Sequence, residues 1–99
     1  RRDLVYSLLQ EIPGLKINLP EGAFYFFPDV SHYFGKSDGV DVIQNATDLC
    51  QYMLRKELVA VVTGDAFGDA NCIRISYAAS EDVLREALQR IKNALAQLH

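Results

Sequence analysis

One arginine, Arg74, set between Ile73 and Ile75 in the run CIRISYA, is the residue with the most chemical scope in this sequence. Two β-branched runs, residues 59–62 and 72–78, flank a loop carrying Gly64 and Gly68, and this pattern predicts two strands joined by a turn. Side chains alternate along a strand, so Ile73, Ile75 and Tyr77 share one face and Cys72, Arg74 and Ser76 the other. A guanidinium in mid-strand is costly to desolvate unless a carboxylate or phosphate meets it. Such an arginine lies on a wet sheet face, sits in an internal ion pair, or anchors the carboxylate of a ligand. The residue types alone leave the three open.

The other reactive side chains carry less. Lys16, Lys36, Lys56 and Lys92 fall on helix exteriors, a strand edge or a loop, where solvation is the expectation. His32 has no Cys, Asp or Glu at ligand spacing and is expected at the surface or as a cap. Asp65, beside Gly64, could serve as an acid or base, but a turn-forming aspartate fits the glycine context. The chain has no Ser–His–Asp set, no HExxH, no P-loop and no dinucleotide fingerprint. No catalytic or metal-ligating residue is therefore assigned. Cys50 and Cys72 lie far apart, lack metal spacing and read as buried thiols of a reducing, cytoplasmic compartment rather than a disulfide.

Composition narrows the classes. Ninety-nine residues with 49% apolar and 23% charged side chains predict one domain, which at this size buries about 60–70% of its unfolded surface. The formal charge of −3, without a Lys/Arg cluster, argues against nucleic acid. That includes an RNA-reading sheet built on the aromatics of 24–27. No apolar run reaches the roughly 18 residues that span a bilayer. The chain opens on Arg1 inside a predicted helix, which suggests a piece of a longer protein.

The elements that must position Arg74 follow from periodicity. Leu4, Val5, Leu8, Leu9 and Ile12 predict a helix over 2–12, stopped by Pro13–Gly14. Residues 15–18 and 23–27 predict a strand pair around the turn Pro20–Glu21–Gly22. In the second of these, Phe24 and Phe26 face one side and Tyr25 and Phe27 the other, so both faces require cover. Either something outside these residues covers the second face, or this is an enclosed central strand. Residues 31–45 predict a loop beginning with a short helical turn. Asn45 caps a helix with Leu49, Tyr52 and Met53 inward, the stripe widened by Leu54 and Leu58. Ser80 caps a last helix with a seam of Leu84, Leu88, Ile91, Leu95 and Leu98. The sum is an α/β (α+β) two-layer sandwich, helices on one face of a small sheet that is mostly antiparallel or mixed.

Two segments together carry a family resemblance: PEGAFYFFPDVSHYFGK at 20–36 and VAVVTGDAFGDANCIRISYAAS at 59–80. Both resemble the class I aminotransferases, pyridoxal-phosphate enzymes typified by aspartate aminotransferase. The resemblance spans residues 1–99 and corresponds to the C-terminal small domain of that family. It implies transfer of an amino group from an aspartate-like amino acid to a 2-oxo acid, in a homodimer. On this resemblance Arg74 is the anchor for the substrate α-carboxylate, and Phe24 lies near the substrate or packs between domains. Gly64 and Gly68 belong to the loop leading into the arginine strand, and Thr63 stands where the family more often has proline. The resemblance places the pyridoxal 5'-phosphate site in the large domain, with no cofactor residue here. The competing expectation is a free-standing regulatory α/β domain that binds an amino acid without catalysis.

Overall fold

A computed structural model describes residues 2–17 and 25–99. Helix α1 spans Arg2–Gln10, α2 Ala46–Glu57 and α3 Glu81–Ala96. Strands β1 (Tyr25–Phe26), β2 (Val62–Thr63) and β3 (Ile73–Ser76) form a three-stranded sheet in the order β1-β3-β2, with antiparallel pairing throughout. This resolves the mixed alternative in favour of the antiparallel one. Among the described residues no helix is long and apolar enough to cross a membrane.

Local chemistry explains the helix starts. Asn45 Oδ1 accepts the Asp48 N–H at 2.8 Å, and Asp48 Oδ2 accepts the Gln44 N–H at 3.0 Å, so the first turn of α2 is capped reciprocally. Ser80 Oγ accepts the Val83 N–H at the start of α3. The predicted α3 seam is buried throughout, and α3 packs on both α1 and α2. Tyr52, wholly buried on α2, donates its hydroxyl proton to the Ala94 carbonyl of α3 at 2.7 Å. Tyr33, on the short 3-10 turn Ser31–Tyr33, donates to the Pro13 carbonyl and so ties the turn to the end of α1.

Several expectations are corrected. Leu54 is 50% and Leu58 76% exposed, so neither widens the buried stripe of α2. Leu58 ends the helix in the left-handed conformation (φ 56°), which turns its side chain off the stripe. Among the described residues, 15–17 contribute an isolated bridge, Lys16 to Asp29, and the rest of the expected pair, 18 and 23–24, lies outside them. The strand predicted over 59–62 is confined to Val62–Thr63, because Val59 is still closing α2 through its N–H to the Met53 carbonyl. Cys50 is half-buried rather than buried, while Cys72 is buried, and both are free. The proposed turn at 20–22 and Phe24 lie outside the described residues.

Candidate functional site

The middle strand of the sheet is β3, and Arg74 sits at its heart. On one side Val62 is its register partner across β2; on the other, β1 pairs Tyr25 with Ser76 and Phe26 with Ile75. Pro28 continues that side, its carbonyl accepting the Ile73 N–H at 3.2 Å. The backbone under Arg74 is thus paired along both edges.

The loop between β2 and β3 is built for close approach. The Gly64 N–H donates to the Cys72 carbonyl at 2.8 Å, and a Cβ on Gly64 would stand 2.4 Å from the Asp69 carbonyl oxygen. Gly68 closes the short turn Gly64–Phe67 with φ 83°, a conformation that favours glycine. Asp69 Oδ1 accepts the Asn71 N–H at 3.0 Å, and the Asn71 carbonyl then accepts the Val30 N–H. Asp29, beside that junction, takes both the hydroxyl and the N–H of Ser31, which hold its carboxyl below the usual range.

The two sheet faces differ as strand alternation requires. Ile73, Ile75 and Phe26 are buried, with Phe26 stacked on Tyr6 of α1 and meeting Tyr77 at a tilt of 60°. On the opposite face Ser76 and Val62 are exposed, and Arg74, Tyr25 and Phe27 are half-buried. Among the described residues β1 lies at one end of the strand order, and Tyr25 and Phe27 are half-buried where Phe26 on the other face is wholly buried. The Arg74 guanidinium carbon lies 4.5 Å from the centroid of the Tyr25 ring. That distance is a cation–π contact, and a guanidinium so held is of the planar, bidentate type that suits a carboxylate.

Other candidate groups are engaged elsewhere. His32 is exposed, meets Tyr33 edge-on and covers Gly14. Asp65 is exposed in the turn after β2. Burial pushes the Cys50 thiol up to about 11 and the Cys72 thiol up to about 12, values that leave neither a nucleophile at neutral pH. Lys56 meets Asp38 Oδ2 at 3.0 Å, an ion pair the residue pattern did not announce. Asp38 also accepts the Val40 and Asp41 N–H groups, and these bonds with Lys56 lower its pKa to about 2. Among the described residues no group of three His, Cys, Asp or Glu side chains could hold a metal ion.

Tyr25 is the site residue that sequence reasoning missed. Strand alternation placed it opposite Phe26, but only the register, with Tyr25 facing Ser76, sets it diagonal to Arg74. Phe24, the other predicted substrate neighbour, lies outside the described residues.

The chain is similar to known proteins along almost its whole length. The chain is 52% identical over 99 residues to the bifunctional aspartate aminotransferase and glutamate/aspartate-prephenate aminotransferase of Petunia hybrida, covering 99% of this chain and 21% of that protein. It is 48% identical to the aspartate aminotransferase of Pinus pinaster, again over 99% of this chain and 20% of the relative. The crystal structure of the aspartate aminotransferase from Rhizobium meliloti superposes with a TM-score of 0.93 at 46% identity, covering 99% of this chain and 25% of that one. The chain thus spans about a fifth to a quarter of the length of these relatives. The family model described as aminotransferase class I and II matches residues 1–91, and the chain belongs to that family.

Proposed function

We propose that this chain is the small domain of a pyridoxal-phosphate-dependent aminotransferase that moves an amino group from an aspartate-like amino acid to a 2-oxo acid. Arg74 binds the substrate α-carboxylate. The observation that carries the reading is the position of Arg74: mid-strand, pinned on both edges, half-exposed on the open sheet face and stacked on an aromatic ring. The sheet face that carries Arg74, Tyr25 and Phe27 is less buried than the one that holds Phe26, Ile73 and Ile75, which suits one wall of a substrate cleft. The complete protein is read as a cytoplasmic homodimer.

The described residues do not themselves fit a cofactor site. Lys56 is taken by Asp38, Lys92 reaches Glu11 at 3.6 Å, Lys36 lines a hollow with His32 and Leu98, and Lys16 is exposed beside its bridge to Asp29. Pyridoxal phosphate, the electron sink for transamination, is accordingly assigned to parts of the complete protein outside this chain.

The test is Arg74→Lys in the complete protein. Replacing the planar fork by a point charge should raise KM and lower kcat/KM for every amino acid substrate by about 2–4 kcal/mol of transition-state stabilisation. Unchanged kinetics would remove the anchor. Calorimetry on the isolated chain separates this reading from an amino-acid sensor: a sensor binds aspartate unaided, and a domain holding only one wall of a cleft does not.

A further inference from the structure

We propose that Tyr25 is a positioning residue for Arg74, an aromatic plate that holds the guanidinium in the orientation a carboxylate ligand requires. The inference rests on the reading of Arg74 as a carboxylate anchor. Tyr25 and Arg74 lie on neighbouring strands and the same sheet face, because Tyr25 pairs with Ser76, two residues from Arg74. The guanidinium carbon stands 4.5 Å from the ring centroid, well inside the range of a cation–π contact. The plate is itself braced. Its neighbour Phe26 is wholly buried against Tyr6 and Tyr77, and the Phe27 ring lies 6.5 Å from that of Tyr25.

An arginine side chain on a half-open face has many rotamers, and each ligand it grips must first overcome that freedom. Stacking removes part of the cost before the ligand arrives. A cation–π contact engages the ring through the guanidinium carbon, and a planar guanidinium has five N–H donors in its plane with which to meet a carboxylate. The contacts are compatible, so the ring can support the cation during binding and release. The supporting element is the ring and not its hydroxyl.

The experiment uses the complete protein with aspartate as donor and 2-oxoglutarate as acceptor, and succinate as a competitive inhibitor. Tyr25→Leu is expected to raise KM for aspartate and Ki for succinate about tenfold, and Tyr25→Phe to stay within about twofold of the parent. In an Arg74→Lys background Tyr25→Leu should add less than about twofold, because the planar ion it supports is gone. A merely structural role would give the same loss in both backgrounds. Tyr25→Met is the alternative if the leucine variant does not fold. A silent Tyr25→Leu, a phenylalanine variant as damaged as the leucine one, or full additivity with Arg74→Lys would each overturn the inference. A silent Arg74→Lys removes the anchor reading itself; a damaging Arg74→Lys beside a silent Tyr25→Leu removes this inference alone.

Discussion

Removing one oxygen atom from Tyr52 tests how α2 and α3 are held together. Tyr52→Phe deletes the 2.7 Å bond to the Ala94 carbonyl with almost no change in volume, at a side chain with no solvent exposure. A neutral buried hydrogen bond contributes about 1 kcal/mol net, and an acceptor left bare can raise the loss to about 3. The Ala94 carbonyl keeps the Gln97 N–H at 3.3 Å, so the smaller figure applies. With a urea slope of about 1.5 kcal/mol per molar, the midpoint should fall by roughly 0.7 M. A second readout follows from titration. Burial, then the charges of Asp38, Asp41 and Glu57, push the Tyr52 phenol from 10.0 up to about 12. Between those values the folded chain keeps a proton that the unfolded chain has released, so stability falls as pH rises through that window. The parent should therefore lose stability more steeply there than Tyr52→Phe, while the contribution of the two thiols remains in both. An unmoved midpoint at neutral pH, or equal slopes above pH 10, would refute the reasoning.

Two further outcomes can be measured on the same chain. Gly14→Ala should cost roughly 2 kcal/mol, read as a lowered Tm. Its φ is +89° and an added Cβ would lie 2.3 Å from the His32 ring; His32→Ala should restore only the steric part. Asp38 is lowered from 3.8 to about 2, so its stabilising effect is complete above its unfolded pKa and is lost as pH falls toward the folded value. Acid titration monitored by circular dichroism should show a shallower loss between pH 4 and 2 for Asp38→Asn, and an identical profile would count against the stabilising role of the Asp41, Val40 and Lys56 contacts to Asp38.

Much of the scaffold was legible because it depends on local rules. Asn45 and Ser80 announce helix starts since a short polar side chain can satisfy an exposed N–H three residues on. The spacing from Leu84 to Leu98 announces a buried stripe because that period matches the helix turn. Leu54 and Leu58 depart from the stripe for different reasons: Leu58 lies where the backbone has already left the helix, while Leu54, still within it, falls on the exposed side of α2. The β-branched run 59–62 becomes strand only from Val62 because such a run marks where a strand can form, while pairing partners decide where it does.

The site divides along the same line. Residue order by itself determined that Arg74 lies on a strand, opposite two isoleucines, behind a glycine-bounded loop, in a chain whose motifs resemble class I aminotransferases. Tertiary structure decided that β3 is the middle strand, that Tyr25 lies under the guanidinium, and that Lys56 is spent on Asp38. The physical reason is range. Alternation and capping act within a few residues, whereas Tyr25 and Arg74 meet only through the register of two strands far apart in the chain, which the packing of the whole domain selects.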